Sequence, residues 1–184
     1  MRHDYVAERE EGLLLVIDLQ EAMAKVIDGW QETVRRVNQL IGASEILNIP
    51  LLLTEHYRKG LGATLREVAL EEGKATLFQK EYFSACLEDD FLNTVKGFNR
   101  RQVVVAGMET HVCVLQTALD LIRAGYQVHL VSNAVASRFQ EDRQAAVDLL
   151  RAAGAVITTT EIVIFQWARR SNTEIFRKLL PIVK

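Results

Sequence analysis

The sequence predicts an α/β fold: a three-layer α-β-α arrangement around a six-stranded parallel sheet of order 3-2-1-4-5-6, with helices on both faces. Three observations carry that reading. Short apolar runs alternate with longer amphipathic ones from end to end, as in chains that lay helices over a sheet. The strongest runs are continuous rather than alternating, as strands buried on both faces require. The helical stretches between them are long enough for right-handed crossovers.

Leu13 to Ile17 is the first strand, stopped by Asp18. Val34 to Leu47 is an amphipathic helix with Val34, Val37, Leu40 and Ile41 on one side. Asn48-Ile49-Pro50 ends it, because proline biases its predecessor out of helix. Leu51 to Thr54 is strand two, Tyr57 to Thr64 a loop with two glycines, Leu65 to Glu71 a short helix, and Ala75 to Gln79 strand three. Glu88 to Phe98 is helical, Gln102 to Ala106 is strand four, and His111 to Ala124 is a helix closed by Gly125. Gln127 to Ser132 is strand five, Glu141 to Ala153 a helix closed by Gly154, and Ala155 to Thr159 strand six. Thr160 and Glu161 open the terminal helical region, in which Pro181 stops the last helix. No linker, repeat or low-complexity stretch divides residues 1–184, so they form a single domain.

Composition narrows the function. With 49% hydrophobic residues over 184, the chain can bury about 70% of its surface without staples, which excludes a disordered or disulfide-held protein. Lys+Arg 22 against Asp+Glu 24 leaves no basic field for nucleic acid or anionic membrane. The charged N-terminal stretch has no apolar signal-peptide core, no run is long enough to span a membrane, and the two cysteines suit a reducing, cytoplasmic home.

In a sheet of this order the strand sequence reverses between strands one and four, and ligands sit beyond the carboxyl ends there. Asp18 follows strand one; burial suits such a carboxylate to act as a base, although alone it equally suits a helix N-cap. Strand four runs into Gly107-Met108-Glu109-Thr110-His111-Val112-Cys113, setting Cys113 in the first turn of the next helix. Backbone N–H groups and the helix dipole there would lower a thiol pKa of about 8.5 and could form an oxyanion hole. Alone, Cys113 fits a small buried hydrophobe better. Lys80, directly after strand three, could close an ion-pair network with both, though a single lysine is ordinarily a solvated charge. Only the joint placement of the three makes a site.

The segments LLLVIDLQ, LTEHYRKGLGAT, KEYFSAC, VVVAGMETHVCVLQTALDLIRAGYQVHLVSNAVASR and DRQAAVDLLRAAGAVITTTE together resemble the isochorismatase-like cysteine hydrolases. The likeness runs from about Leu13 to Glu161, and the G-x-x-T-x-x-C run ending at Cys113 is specific in that context. The chain is most similar to the branch carrying T-E-x-Y-x-K-G-L-G, for which the resemblance implies fold and triad but no settled substrate. It implies a triad of Asp18, Lys80 and Cys113, and a cis peptide between Met108 and Glu109 that turns the Glu109 N–H, beside that of Cys113, toward an oxyanion. The expected reaction is hydrolysis of a C–N amide bond of a small molecule. Asp18 takes the Cys113 proton, Lys80 steadies the charge so that thiolate is favoured at neutral pH, and water clears the thioester. Gln20, Glu55, Tyr82, Phe83 and Val112 are the expected substrate-pocket residues.

No metal or other cofactor is expected, since Thr54-Glu55-His56-Tyr57 offers one histidine and the next downstream is His111. A Cys113–His111 dyad is disfavoured because residues two apart on a helix do not face each other. His129 reads as a core or sheet-end residue, and Cys86 as inert packing. Gly60, Leu61 and Gly62 either shape a loop over the site or form a plain turn, and Tyr82 with Phe83 either wall the substrate or join the core. Strand one lacks a following G-x-G-x-x-G, which excludes dinucleotide binding. A catalytically silent binding or scaffolding protein on the same fold remains the alternative. The apolar content of Ile162 to Trp167 and of the helix near Val34, with the resemblance, implies a homo-oligomer.

Overall fold

The computed structural model describes residues 3–71 and 73–184; Met1 and Arg2 of the charged N-terminal stretch, and Glu72, lie outside the described residues. Its sheet has six parallel strands in the expected order, β3-β2-β1-β4-β5-β6. These are β1 (Gly12–Ile17), β2 (Leu51–His56), β3 (Ala75–Lys80), β4 (Gln102–Met108), β5 (Gln127–Ala136) and β6 (Val156–Thr158). The continuous apolar runs fill both faces. Leu13, Leu15 and Ile17 pack with Val103 and Val105 under α4 (Phe91–Gly97), α5 (Leu115–Arg123) and α6 (Gln140–Ala152). Leu14 and Val16 pack with Val104 and Ala106 under α2 (Trp30–Leu47), α7 (Thr160–Ala168) and α8 (Glu174–Val183). His129 is buried in β5, where burial drives its pKa down to about 4, so it sits in the core as a neutral ring.

Several elements depart from expectation, each for a local reason. The short helix at Leu65 to Glu71 is absent: Leu65 N donates to Leu19 O at 2.8 Å, and Asn38 takes the Ala69 N–H and gives its own amide to Glu67 O. Val68 N closes one turn on Leu65 O at 3.0 Å, but the Ala69 N–H and the Glu67 carbonyl are spent on Asn38, so no helix continues from it. The Tyr57 to Thr64 loop holds a single turn, α3 (Arg58–Leu61), and α1 (Glu21–Ala24) follows β1. A 3₁₀ turn (Ala85–Leu87) precedes α4, which starts later than Glu88. β4 and β5 run past their predicted ends at Ala106 and Ser132. The register shifts from Val105↔Leu130 to Gly107↔Val135. The polar residues of that irregularity find partners: Ser132 Oγ donates to Thr158 O, and Asn133 Oδ1 accepts from Thr160 N and Oγ1. Pro181 does not stop the last helix; α8 continues to Val183, and Gln39 Nε2 donates to Ile182 O at 2.7 Å, holding the final turn.

Of the apolar Ile162 to Trp167 segment, Val163, Ile164 and Trp167 are buried within the chain, while Ile162 and Phe165 stay exposed. Among the described residues no helix is long and apolar enough to cross a membrane.

Candidate active site

The carboxyl ends of β1, β2, β3 and β4 lie side by side, in registers Ile17↔Thr54, Ile17↔Gly107 and His56↔Lys80. Gly107 has φ +126, and a Cβ there would collide with the Ile17 backbone, so only glycine lets β4 pass this close to β1. Just beyond, Asp18 adopts φ +50, a left-handed conformation that costs a non-glycine residue about 1 kcal/mol. It turns the chain out of the sheet at the reversal point of the strand order.

Asp18 is buried and paired. Thr54 Oγ1 donates to its Oδ1 at 2.6 Å, and Lys80 Nζ lies 2.7 Å from its Oδ2. Lys80, the last residue of β3 rather than the first after it, has a side chain 0% exposed and also donates to the carbonyls of Tyr82 and Phe83, each at 3.2 Å. Three acceptors thus surround an ammonium with three protons. The loop supplying two of them is pinned from several sides. Glu88 Oε1 accepts from Glu81 N and Tyr82 N, Ser84 Oγ donates to Asp120 Oδ2, and Ala85 N donates to Thr117 Oγ1.

Cys113 sits in a π-helical turn (Thr110–Val114), not in the first turn of an α-helix, and α5 begins after it. The peptide bond between Met108 and Glu109 is cis. Cys113 is 6% exposed. Burial first, and then the negative charge of Asp18, push its pKa up to about 12, with Lys80 compensating in part. The expected standing thiolate is therefore corrected: the resting cysteine is a neutral thiol. Cys86, pushed up to about 12 by burial and by Asp120, is a neutral thiol as well.

Asp18 and Cys113 open on a common cavity of about 230 Å³, whose strand-side wall includes Met108 and Glu109. Val112 and Phe83 line it as expected, and Met23, His56 and Leu61 complete it. His56, whose ring lies 5.4 Å from that of Phe83, had only its place after strand two to mark it. Met23 carried no signal, because α1 has no apolar periodicity of its own. Gln20, Glu55 and Tyr82 do not line the cavity. Gln20 is buried with its amide donating to His56 O and Gly62 O and accepting from His56 N, so it ties β1 to the 57–64 loop. Glu55 accepts from Thr64 N and Oγ1 and pairs with Arg58 at 2.9 Å, holding the same loop. Tyr82 points its ring to solvent and serves through its carbonyl. His111 turns away to Ser137 Oγ at 3.0 Å and to Asp142. Glu109 pairs with Arg138 at 2.9 Å. Among the described residues no three His, Cys, Asp or Glu side chains group as an ion would need.

The isochorismatase domain matches residues 12–162. Isochorismatase family protein 1B of Dictyostelium discoideum is 35% identical over 180 residues, covering 95% of this chain and 87% of its own length. Isochorismatase domain-containing protein 2 of Danio rerio is 37% identical over 171 residues, with coverage of 91% and 86%. Among solved structures, the MAR1 ribonuclease from Caenorhabditis elegans superposes with a TM-score of 0.88 at 36% identity, covering 96% of this chain and 91% of that one.

Proposed function

The chain belongs to the isochorismatase family of hydrolases, and from that membership we propose that it hydrolyses the C–N bond of a small amide through a thioester on Cys113. The observation that carries this reading is buried Asp18, paired with Lys80, opening on the same cavity as Cys113 in the turn after β4. Because the thiol is neutral at rest, the proton leaves as the S–C bond forms: Cys113 Sγ attacks the carbonyl carbon while Asp18 accepts the proton. The backbone N–H groups of Glu109 and Cys113 take the developing oxyanion. Asp18 then returns the proton to the nitrogen, and the amine departs. A water that gives its proton to Asp18 attacks the thioester, and collapse releases the carboxylic acid and restores the thiol. Lys80 pairs with Asp18 and holds its carboxyl group in place through the cycle.

The name of the nematode relative raises phosphodiester cleavage. A phosphate in this cavity would face Asp18 and Glu109 with no lysine or arginine among the lining residues, which favours the amide. Self-association belongs to the same reading, carried by Ile162 and Phe165 exposed on α7. The test is ammonia release from a panel of primary amides. Turnover is expected, falling about a thousandfold or more in Cys113→Ala. Equal rates in the two proteins would overturn the cysteine mechanism, and no release from any amide would leave the silent binding protein.

A further inference from the structure

Two side chains of the turn that carries Cys113 grip the same neighbouring segment. The register Met108↔Ala136 sets the ends of β4 and β5 side by side, so the turn leaves the sheet next to Ser137 and Arg138. Glu109 Oε1 accepts from Arg138 Nε at 2.9 Å and from Arg138 N at 3.2 Å. His111 Nδ1 lies 3.0 Å from Ser137 Oγ, and His111 Nε2 lies 3.8 Å from Asp142 Oδ2 at the start of α6. Inside the turn, the Glu109 carbonyl accepts from Val112 N and Val114 N at 3.1 and 3.2 Å. The turn is held at two points, and losing one leaves the other.

The grip on Glu109 also settles a charge. Glu109 is 9% exposed, and its N–H is one of the two assigned to the oxyanion. Four bonds of about 1.5 Å join that nitrogen to the carboxyl carbon, so the carboxyl group lies within about 5 Å of the donor, and within about 8 Å of an oxygen held there, in every rotamer. Two negative charges at that range in a buried site repel. A bare carboxylate at Glu109 would oppose the charge that the turn receives. Arg138 meets it through Nε, with its guanidinium carbon 5.9 Å from the centre of the Phe139 ring and its side chain 46% exposed. Resting on the cysteine-hydrolase reading, we propose that Arg138 is a positioning residue for that reaction: acting through Glu109, it cancels the carboxylate charge beside the N–H groups that take the oxyanion.

The test compares the natural chain with Arg138→Leu, Arg138→Lys, Glu109→Gln, and Arg138→Leu combined with Glu109→Gln. Arg138 is exposed enough to be replaced in a folded protein, and the His111 grip keeps the turn in place without it. The first readout is alkylation of Cys113 by iodoacetate and by iodoacetamide, reagents alike in size and leaving group that differ by one negative charge. Their rate ratio is read by mass spectrometry on the full chain, so the amount of thiolate cancels. Arg138→Leu is expected to disfavour the anionic reagent about threefold or more, Arg138→Lys to restore most of the ratio, and added Glu109→Gln to bring it back. The second readout is turnover of a neutral primary amide. Arg138→Leu is expected to lower kcat about tenfold and to change KM less than about twofold, because the charge develops only as the carbonyl is attacked. Added Glu109→Gln is expected to return kcat to that of Glu109→Gln alone. A mere tether would be broken as badly by Glu109→Gln, and the double variant would stay as slow as Arg138→Leu. That result, an unchanged alkylation ratio in Arg138→Leu, or a loss confined to KM overturns the assignment. The alkylation readout needs no turnover: a protein whose ratio follows the charge at Glu109 but which hydrolyses no amide keeps the charge compensation by Arg138 and loses the hydrolase reading.

Discussion

Asp18→Asn is expected to make Cys113 easier to ionise while turnover falls about a thousandfold or more. The two effects have opposite signs for one physical reason. Asp18 raises the Cys113 pKa by its charge and by accepting the thiol proton, second only to burial. Asparagine keeps the shape, removes the charge and cannot take the proton. It also leaves the Lys80 ammonium, 0% exposed, without its carboxylate, so a Cys113 thiolate becomes the available counter-ion. In the natural protein the thiol, pushed up to about 12, stays protonated through the neutral range, and its alkylation rate should climb about tenfold per pH unit to beyond pH 10 with no plateau. In Asp18→Asn the profile should move to lower pH and flatten earlier. Faster alkylation with lost catalysis is the signature of a base removed from beside its nucleophile. Slower alkylation would show that Asp18 does not face the thiol. The same shift sets a stability trend. The folded thiol ionises above its unfolded value of 9.0, so its contribution is complete below about pH 9 and is lost as pH rises toward 12.

Lys80→Met should cost about 3–5 kcal/mol of stability, because it strands a buried carboxylate. Asp18 keeps the Thr54 hydroxyl as a donor but loses its cation, and the carbonyls of Tyr82 and Phe83 lose the ammonium that gathers them. The Cys113 thiol should move further up, since Lys80 is the group that offsets burial and Asp18 there. Urea unfolding measures the first effect and alkylation the second. Combining the substitution with Asp18→Asn should restore part of the loss, because the double variant buries no unmatched charge. Strictly additive losses would contradict a coupled pair.

The sheet was legible because its information is local. Runs such as Leu13 to Ile17 and Gln102 to Ala106 are apolar on both faces, and only a strand between two helical layers uses such a run. Asp18 could be named because it follows such a run directly; Lys80, at the end of the more exposed β3, and Cys113, in the turn beyond β4, were marked by the family resemblance. The cavity wall was less legible, since it depends on long-range pairing. Glu55 and Gln20 are polar residues beside the site, as substrate contacts would be, yet their hydrogen bonds go to Thr64, His56 and Gly62. The irregularity in β5 was hidden because Ser132 and Asn133 look like the end of a strand; their partners, Thr158 and Thr160, lie on the following elements. The Cys113 pKa was misjudged in direction because chain position suggests a helix start, whereas depth of burial and the nearness of Asp18 appear only in three dimensions.

Whether Cys113 carries the acyl group is read by mixing the protein with an amide that it turns over, quenching in acid during turnover and weighing the intact chain. A mass increase equal to the acyl group is expected, mapped to Cys113, absent in Cys113→Ala and released as the carboxylic acid by hydroxide. Steady turnover with no adduct on Cys113, or an adduct mapped to another residue, would contradict it.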